Sequence, residues 1–253
     1  MRAGQLTDAP APGRFVLVHR HTGRATGRAT VVLLHDRYDD LTALDAIARE
    51  LEPDHAVLAI RGARTQIRDQ FVHGYYWFIE HEPCHPEAST LGDALAQLEL
   101  GLLEHEAQAG DAGFALVGRG QGATVALLLA AGWPELVRAV VAIDGCLPPL
   151  PAGLAAETER LDALRVLLID TQAEVSDATD QARVALERRG AHVETRRLVG
   201  DDGGDAPSDD GEGDDGADGP GADGGGVDRG SADGPGVDGG DSVAAMTVAW
   251  LRE

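Results

Sequence analysis

An α/β domain is the fold class that this sequence predicts, a mostly parallel sheet covered by helices on both faces. Three observations predict it. Short continuous aliphatic runs such as Val31-Val32-Leu33-Leu34 recur along the chain, the pattern of strands buried on both faces. Segments of helical period alternate with those runs, which is the order that builds parallel sheets. At 253 residues and 43% hydrophobic content the chain is long enough for one large core, and with only 4% aromatics that core must be filled by aliphatics.

The elements follow in order. Residues 1–13, with Pro10, Pro12 and Gly13, read as a loose leader. Phe15 to His19 reads as a strand, and the Gly/Thr/Arg stretch 22–30 as a turn. Val31 to His35 is the first fully buried strand. Across 40–52, Leu41, Leu44, Ile47, Ala48 and Leu51 share one helical face, with Asp39 or Asp40 as cap. His55 to Ile60 is the next strand. Residues 61–88, rich in Gly, Pro, His and aromatics, read as an irregular loop of the kind that carries binding residues. A long helix starts at Ser89 or Thr90, with Leu91, Leu95, Leu98 and Leu102 on one face. Phe114 to Val117 is a strand entering a glycine turn, and a helix from Ala123 to Ala131 is closed by Gly132 and Pro134. Val137–Ile143 and Arg165–Ile169 are strands, 177–189 an amphipathic helix, His192–Val199 a last strand, and Ser242–Arg252 a final helix. The expected domain spans 14–199 plus 242–253.

Between that strand and the final helix, residues 200–241 form an Asp/Gly/Pro-rich insert with a five-residue repeat (Ala217-Asp218, Ala222-Asp223, Val227-Asp228). Its composition buries too little apolar surface to offset its ordering entropy, so disorder is expected. Asp/Gly repeats also supply oxygen ligands for calcium, but the calcium nonapeptide needs a nine-residue period. The insert carries 14 Asp or Glu and one Arg, so it holds −13 of the net charge of −22. That charge disfavours nucleic acid and anionic membrane as partners. The 21 basic residues are all Arg, which reads as codon bias rather than chemistry. With two cysteines, no signal-peptide run and no long apolar stretch, a cytoplasmic protein is the expectation. The oligomeric state is left open.

The chemistry concentrates at Gly118-Arg119-Gly120-Gln121-Gly122. It has the frame of a nucleophile elbow, G-x-S-x-G, with Gly120 where the serine belongs. Without a side chain, Gly120 cannot form an acyl-enzyme. The glycines lack the spacing of a dinucleotide fingerprint, so no cofactor is expected. His81, Cys84 and His85 have no second half of a zinc pattern, so no metal is expected.

Four further segments carry a resemblance together with this one. Leu33-Leu34-His35-Asp36-Arg37 resembles an L-H-G-x-G oxyanion turn, and Val57 to Gly62 an L-A-P-R-G strand and turn. Gly74-Tyr75-Tyr76-Trp77-Phe78 resembles G-x-x-W-F, and Ile143 to Pro148 resembles S-G-x-L-P. With these, the chain resembles the α/β-hydrolase superfamily, and within it the small lid-less carboxylesterases of the phospholipase/carboxylesterase type. The resemblance implies a Ser–Asp–His triad that is missing here: Gly120 stands at the nucleophile, Ala173 at the acid with Glu174 one residue late, and Gly200-Asp201-Asp202 where a G-G-H turn is expected. It also implies that Asp36, in place of glycine, sets a carboxylate where negative charge develops in acyl transfer.

Three functions follow from these residues. The first is a catalytically degenerate homologue that binds a small acyl or ester-like ligand, or a protein partner, through His35, Asp36, Arg37, Tyr75, Trp77, Gly120 and Gln121. The second is a lyase, isomerase or cyclase using the inherited cavity, with His35, Asp36 and Tyr75 as acid–base groups. The third is an ester hydrolase with a rewired site, for which His35 as base and Asp144 as displaced acid are the candidates.

Overall fold

The computed structural model describes residues 5–6, 17–23, 27–109, 113–149, 160–171, 177–198 and 239–253. In chain order the elements are β1 (Gln5–Leu6), β2 (His19–Gly23), β3 (Thr30–Leu34), α1 (Asp45–Leu51) and β4 (Ala56–Ile60). Next come the short strands β5 (Arg64–Arg68), β6 (Phe71–Tyr76), β7 (Glu80–Glu82) and β8 (His85–Pro86), then α2 (Ala88–Ala109). The second half is β9 (Phe114–Arg119), α3 (Gln121–Gly132), β10 (Val137–Ile143), β11 (Arg165–Asp170), α4 (Asp177–Arg188), β12 (His192–Arg197) and α5 (Gly239–Arg252).

Eight strands form one sheet in the order β1-β2-β4-β3-β9-β10-β11-β12. The β1–β2 and β2–β4 pairings are antiparallel and all others are parallel. Side chains alternate across a strand, so each aliphatic run feeds two cores. Val32, Leu34, Leu116 and Val140 pack on one face with α2, α3 and α4, while Val31, Leu33, Val117 and Val141 pack on the other with α1 and α5. Helix α3 has no polar face, and Gln121 through Ala131 are all buried. From β3 the sheet grows to β4 on one side and to β9 on the other. The crevice at the carboxyl ends of β3 and β9 is therefore the topological switch point, where sheets of this kind bind ligands.

Several expectations need correction. Of the strand expected at Phe15–His19, Phe15 and Val16 lie outside the described residues and Leu17 and Val18 are not strand; the described strand is His19–Gly23, where Thr22 and Gly23 continue the antiparallel ladder against Val57 and Ala56. Within the expected loose leader, Gln5 and Leu6 pair with His21 and Arg20. The helix expected from residue 40 starts at Asp45; Asp40 instead caps a turn, accepting from the Thr42 N–H and hydroxyl at 2.7 and 2.6 Å. The stretch 61–88 contains two hairpins rather than one irregular loop. The first turns on Asp69 and Gln70 with φ of 51° and 69°, the left-handed pair that suits a twisted hairpin. The last helix begins at Gly239, inside the expected insert. The rest of that insert, residues 200–238, lies outside the described residues, as does the leader apart from Gln5–Leu6.

Candidate functional site

Gly120 links β9 to α3 with φ 51° and ψ −116°, a conformation that strains any residue with a side chain. The turn is held by Gly120 N–H donating to Ile143 O at 2.8 Å and by Thr124 N–H donating to Gly120 O at 3.1 Å. Helix α3 starts so close to β3 that a Cβ on Gly122 would stand 2.1 Å from Leu34 O. The sharp strand-to-helix turn is thus intact without its hydroxyl.

The space of that hydroxyl is taken. A Cβ built on Gly120 would lie 1.9 Å from Asp36 Oδ1 and 2.1 Å from its Cγ. Asp36 Oδ1 accepts the N–H of Arg37 at 2.6 Å and the N–H of Gln121 at 2.9 Å. One donor follows the elbow tip and the other lies in the loop after β3. In an acyl-transfer site of this topology, such a pair forms the oxyanion hole. Here the protein's own carboxylate accepts from both amides, at the positive end of α3.

A buried frame stands behind this carboxylate. His35 is 2% exposed, and its Nε2 accepts the Gly62 N–H at 2.9 Å. The ring proton therefore sits on Nδ1, which donates to Asp36 O at 2.5 Å. Trp77, 1% exposed, donates its indole N–H to His35 O at 2.8 Å. Gln121 uses both ends of its amide: Oε1 accepts from Trp77 N–H at 3.1 Å and Nε2 donates to Phe78 O at 3.1 Å. Burial holds the His35 pKa below its ordinary 6.5, against the raising effect of the Asp36 carbonyl and nearby carboxylates. A histidine kept neutral in the fold contributes stability that is complete above 6.5 and is lost as pH falls from 6.5 through the lower folded value. Urea midpoints measured across this window should fall more steeply toward acid for the wild type than for His35→Gln; parallel profiles would contradict the assignment.

Above Gly120 opens a cleft of about 450 Å³. Of the residues singled out from the sequence, Asp36, Arg37, Gly120, Gln121 and Asp144 line it, and His35, Tyr75 and Trp77 do not. His35 as a base is corrected to a structural histidine, because both ring nitrogens are engaged. Trp77 is core, and Tyr75 pairs its backbone with Tyr38 and Asp39 while its ring lies 4.1 Å beneath the Arg61 guanidinium. Asp144 has φ 52° and accepts from the Thr171 N–H at 2.8 Å and hydroxyl at 2.5 Å, so it ties β10 to β11. Ala173, Glu174 and residues 199–238, which hold the positions where the resemblance expects an acid and a histidine, lie outside the described residues.

Of the outer wall, sequence reasoning raised His81 and Cys84, as metal candidates, and read 61–88 as a binding loop, but it did not assign the wall's carboxylates. The β7–β8 hairpin brings Glu80, His81, Glu82, Pro83 and Cys84 to the cleft, and β11 brings Asp170. Glu80 accepts the Cys84 N–H at 3.0 Å and lies 3.9 Å from Arg37. The signal for the hairpin carboxylates was the clustering of Glu80, Glu82, two histidines and one cysteine in 80–85. Among the described residues, no group of three or more His, Cys, Asp or Glu is arranged to hold a metal, and no helix is long and apolar enough to cross a membrane.

No protein-family model matches the sequence, and no curated protein matches it. Solved structures do. A carboxylesterase from Mesorhizobium loti aligns with a TM-score of 0.62 at 22% identity, over 76% of this chain and 90% of its own. A Bacillus cereus carboxylesterase aligns at 0.60 and 18% identity, over 72% and 84%. A phospholipase/carboxylesterase from Dyadobacter fermentans aligns at 0.56 and 19%, over 72% and 87%. Sheet order, the elbow after β9 and these likenesses agree: the chain has the α/β-hydrolase fold.

Proposed function

We propose that the protein is a non-hydrolytic α/β-hydrolase-fold protein that uses the cleft above Gly120 to bind a small ligand or a protein partner. One observation carries this: the Asp36 carboxylate holds both amides of the oxyanion hole and occupies the volume of the missing nucleophile. Ester hydrolysis places negative charge on the carbonyl oxygen, and a carboxylate in that position opposes it. The cleft remains open, and Asp36, Glu80, Glu82, Asp144 and Asp170 line it against Arg37 and His81. That balance disfavours an anionic ligand and suits a neutral or cationic one.

The lyase, isomerase or cyclase reading draws less support: of its acid–base groups only Asp36 lines the cleft, where two main-chain amides hold its carboxylate, while His35 and Tyr75 stand away and His35 has no free nitrogen. A rewired hydrolase would need Asp144 to orient a base, and its carboxylate is engaged by Thr171. The test is direct. Purified protein offered p-nitrophenyl esters of several chain lengths is expected to release no more product than buffer does. Saturable turnover lost in Asp144→Asn would support the rewired hydrolase instead. Thermal stabilisation by a ligand without turnover would support binding.

A further inference from the structure

We propose that Cys84 and Cys146 are a reversible redox pair, whose disulfide ties the β7–β8 hairpin to the loop after β10 across the cleft. They are the two cysteines of the chain; both are free thiols, and both line the same cleft from elements distant in sequence. Cys84 is on the hairpin turn with φ 62°, an uncommon conformation for a residue with a Cβ, and the Glu80 carboxylate holds its N–H at 3.0 Å. Cys146 is anchored from α3: the Thr124 hydroxyl oxygen accepts its N–H at 3.2 Å and lies 3.6 Å from Sγ. Burial first, and the neighbouring Cys84 second, push the Cys146 thiol up to about 12.

The order of events follows from exposure. Cys146 is 8% exposed and rests as the thiol, whereas Cys84 is half-buried and reachable from solvent. The oxidant is a low-molecular-weight disulfide, RSSR. The Cys84 thiolate attacks one of its sulfurs, forming a mixed disulfide and releasing RS⁻. Cys146 then loses its proton to solvent, and its sulfur attacks the Cys84 sulfur, releasing the second RS⁻. Two protein thiols become one disulfide, RSSR is reduced to two RSH, and two electrons pass to the oxidant. The closed bridge pins the hairpin that bears Glu80, His81, Glu82 and Pro83, so the outer wall of the cleft responds to thiol–disulfide poise.

The full-length protein is incubated under native conditions with oxidised glutathione and followed by intact mass, thiol titration and peptide mapping. The expected result is loss of two hydrogens, no titratable thiol and a linked Cys84–Cys146 peptide, all reversed by dithiothreitol. Cys146→Ser should stop at a glutathione adduct on Cys84, and Cys84→Ser should react at least about tenfold more slowly, because the remaining thiol is scarcely ionised. A wild-type protein that stops at the stable Cys84 adduct with Cys146 still reduced, or that cross-links between chains, would overturn the proposal.

Discussion

Gly120→Ser is expected to cost about 2–5 kcal/mol of unfolding free energy, from backbone strain together with displacement of a charged hydrogen-bond acceptor. The new Cβ would stand 1.9 Å from Asp36 Oδ1, so the carboxylate must swing away from the Arg37 and Gln121 amides. Placing a serine at this position alone therefore disrupts the site. In the Asp36→Gly background the collision disappears and only the strain at φ 51° remains. A double-mutant cycle by urea denaturation should return a coupling of about 1–3 kcal/mol between the two positions. Additive losses would show that Asp36 does not occupy the elbow. Neither the single nor the double variant is expected to hydrolyse esters, since His35 has both ring nitrogens engaged and the Asp144 carboxylate is held by Thr171.

Gln121→Leu is the second large effect. The side chain is 4% exposed, and its amide serves the Trp77 N–H and the Phe78 carbonyl at once. Leucine fills the volume and leaves both main-chain groups buried without a partner, at about 1–3 kcal/mol each. The expected loss is about 2–6 kcal/mol on the same estimate, with early amide exchange at Trp77 as its local signature. A change below about 1 kcal/mol with Trp77 still protected would mean that Gln121 is not the clip joining the elbow to the segment after β6.

Strands buried on both faces were legible because five-residue aliphatic runs have no other economical place in a chain of this composition; Val31–Leu34 and Ala56–Ile60 announce themselves. Strand β2 did not, because His19-Arg20-His21-Thr22-Gly23 is polar and is recruited by pairing with β4, whereas the apolar Phe15–Val18 drew the assignment upstream. The hairpin tip at Asp69–Gln70 carries no glycine or asparagine, so its left-handed turn left no mark in the sequence.

At the site, the replacements at positions 36 and 120 could each be read from the motif frame. Their mutual dependence could not, because it resides in a contact between residues far apart in the chain. His35, Tyr75 and Trp77 show the opposite limit. Polar and aromatic residues at strand ends look like pocket walls in sequence, and burial decides otherwise. His35 spends its ring on Gly62 and its own loop, and Trp77 closes over the His35 carbonyl. The β7–β8 wall needed knowledge of where the chain returns after β6.

The seating of the Asp36 carboxylate between the Arg37 and Gln121 amides is tested most directly by the proton shifts of those two amides. In isotope-labelled wild-type protein both protons should resonate well downfield, as amides bound to a carboxylate do. In Asp36→Ala both should move upfield together and exchange faster with solvent. Amide shifts and exchange at Arg37 and Gln121 that are the same in wild type and variant would contradict a carboxylate seated between them.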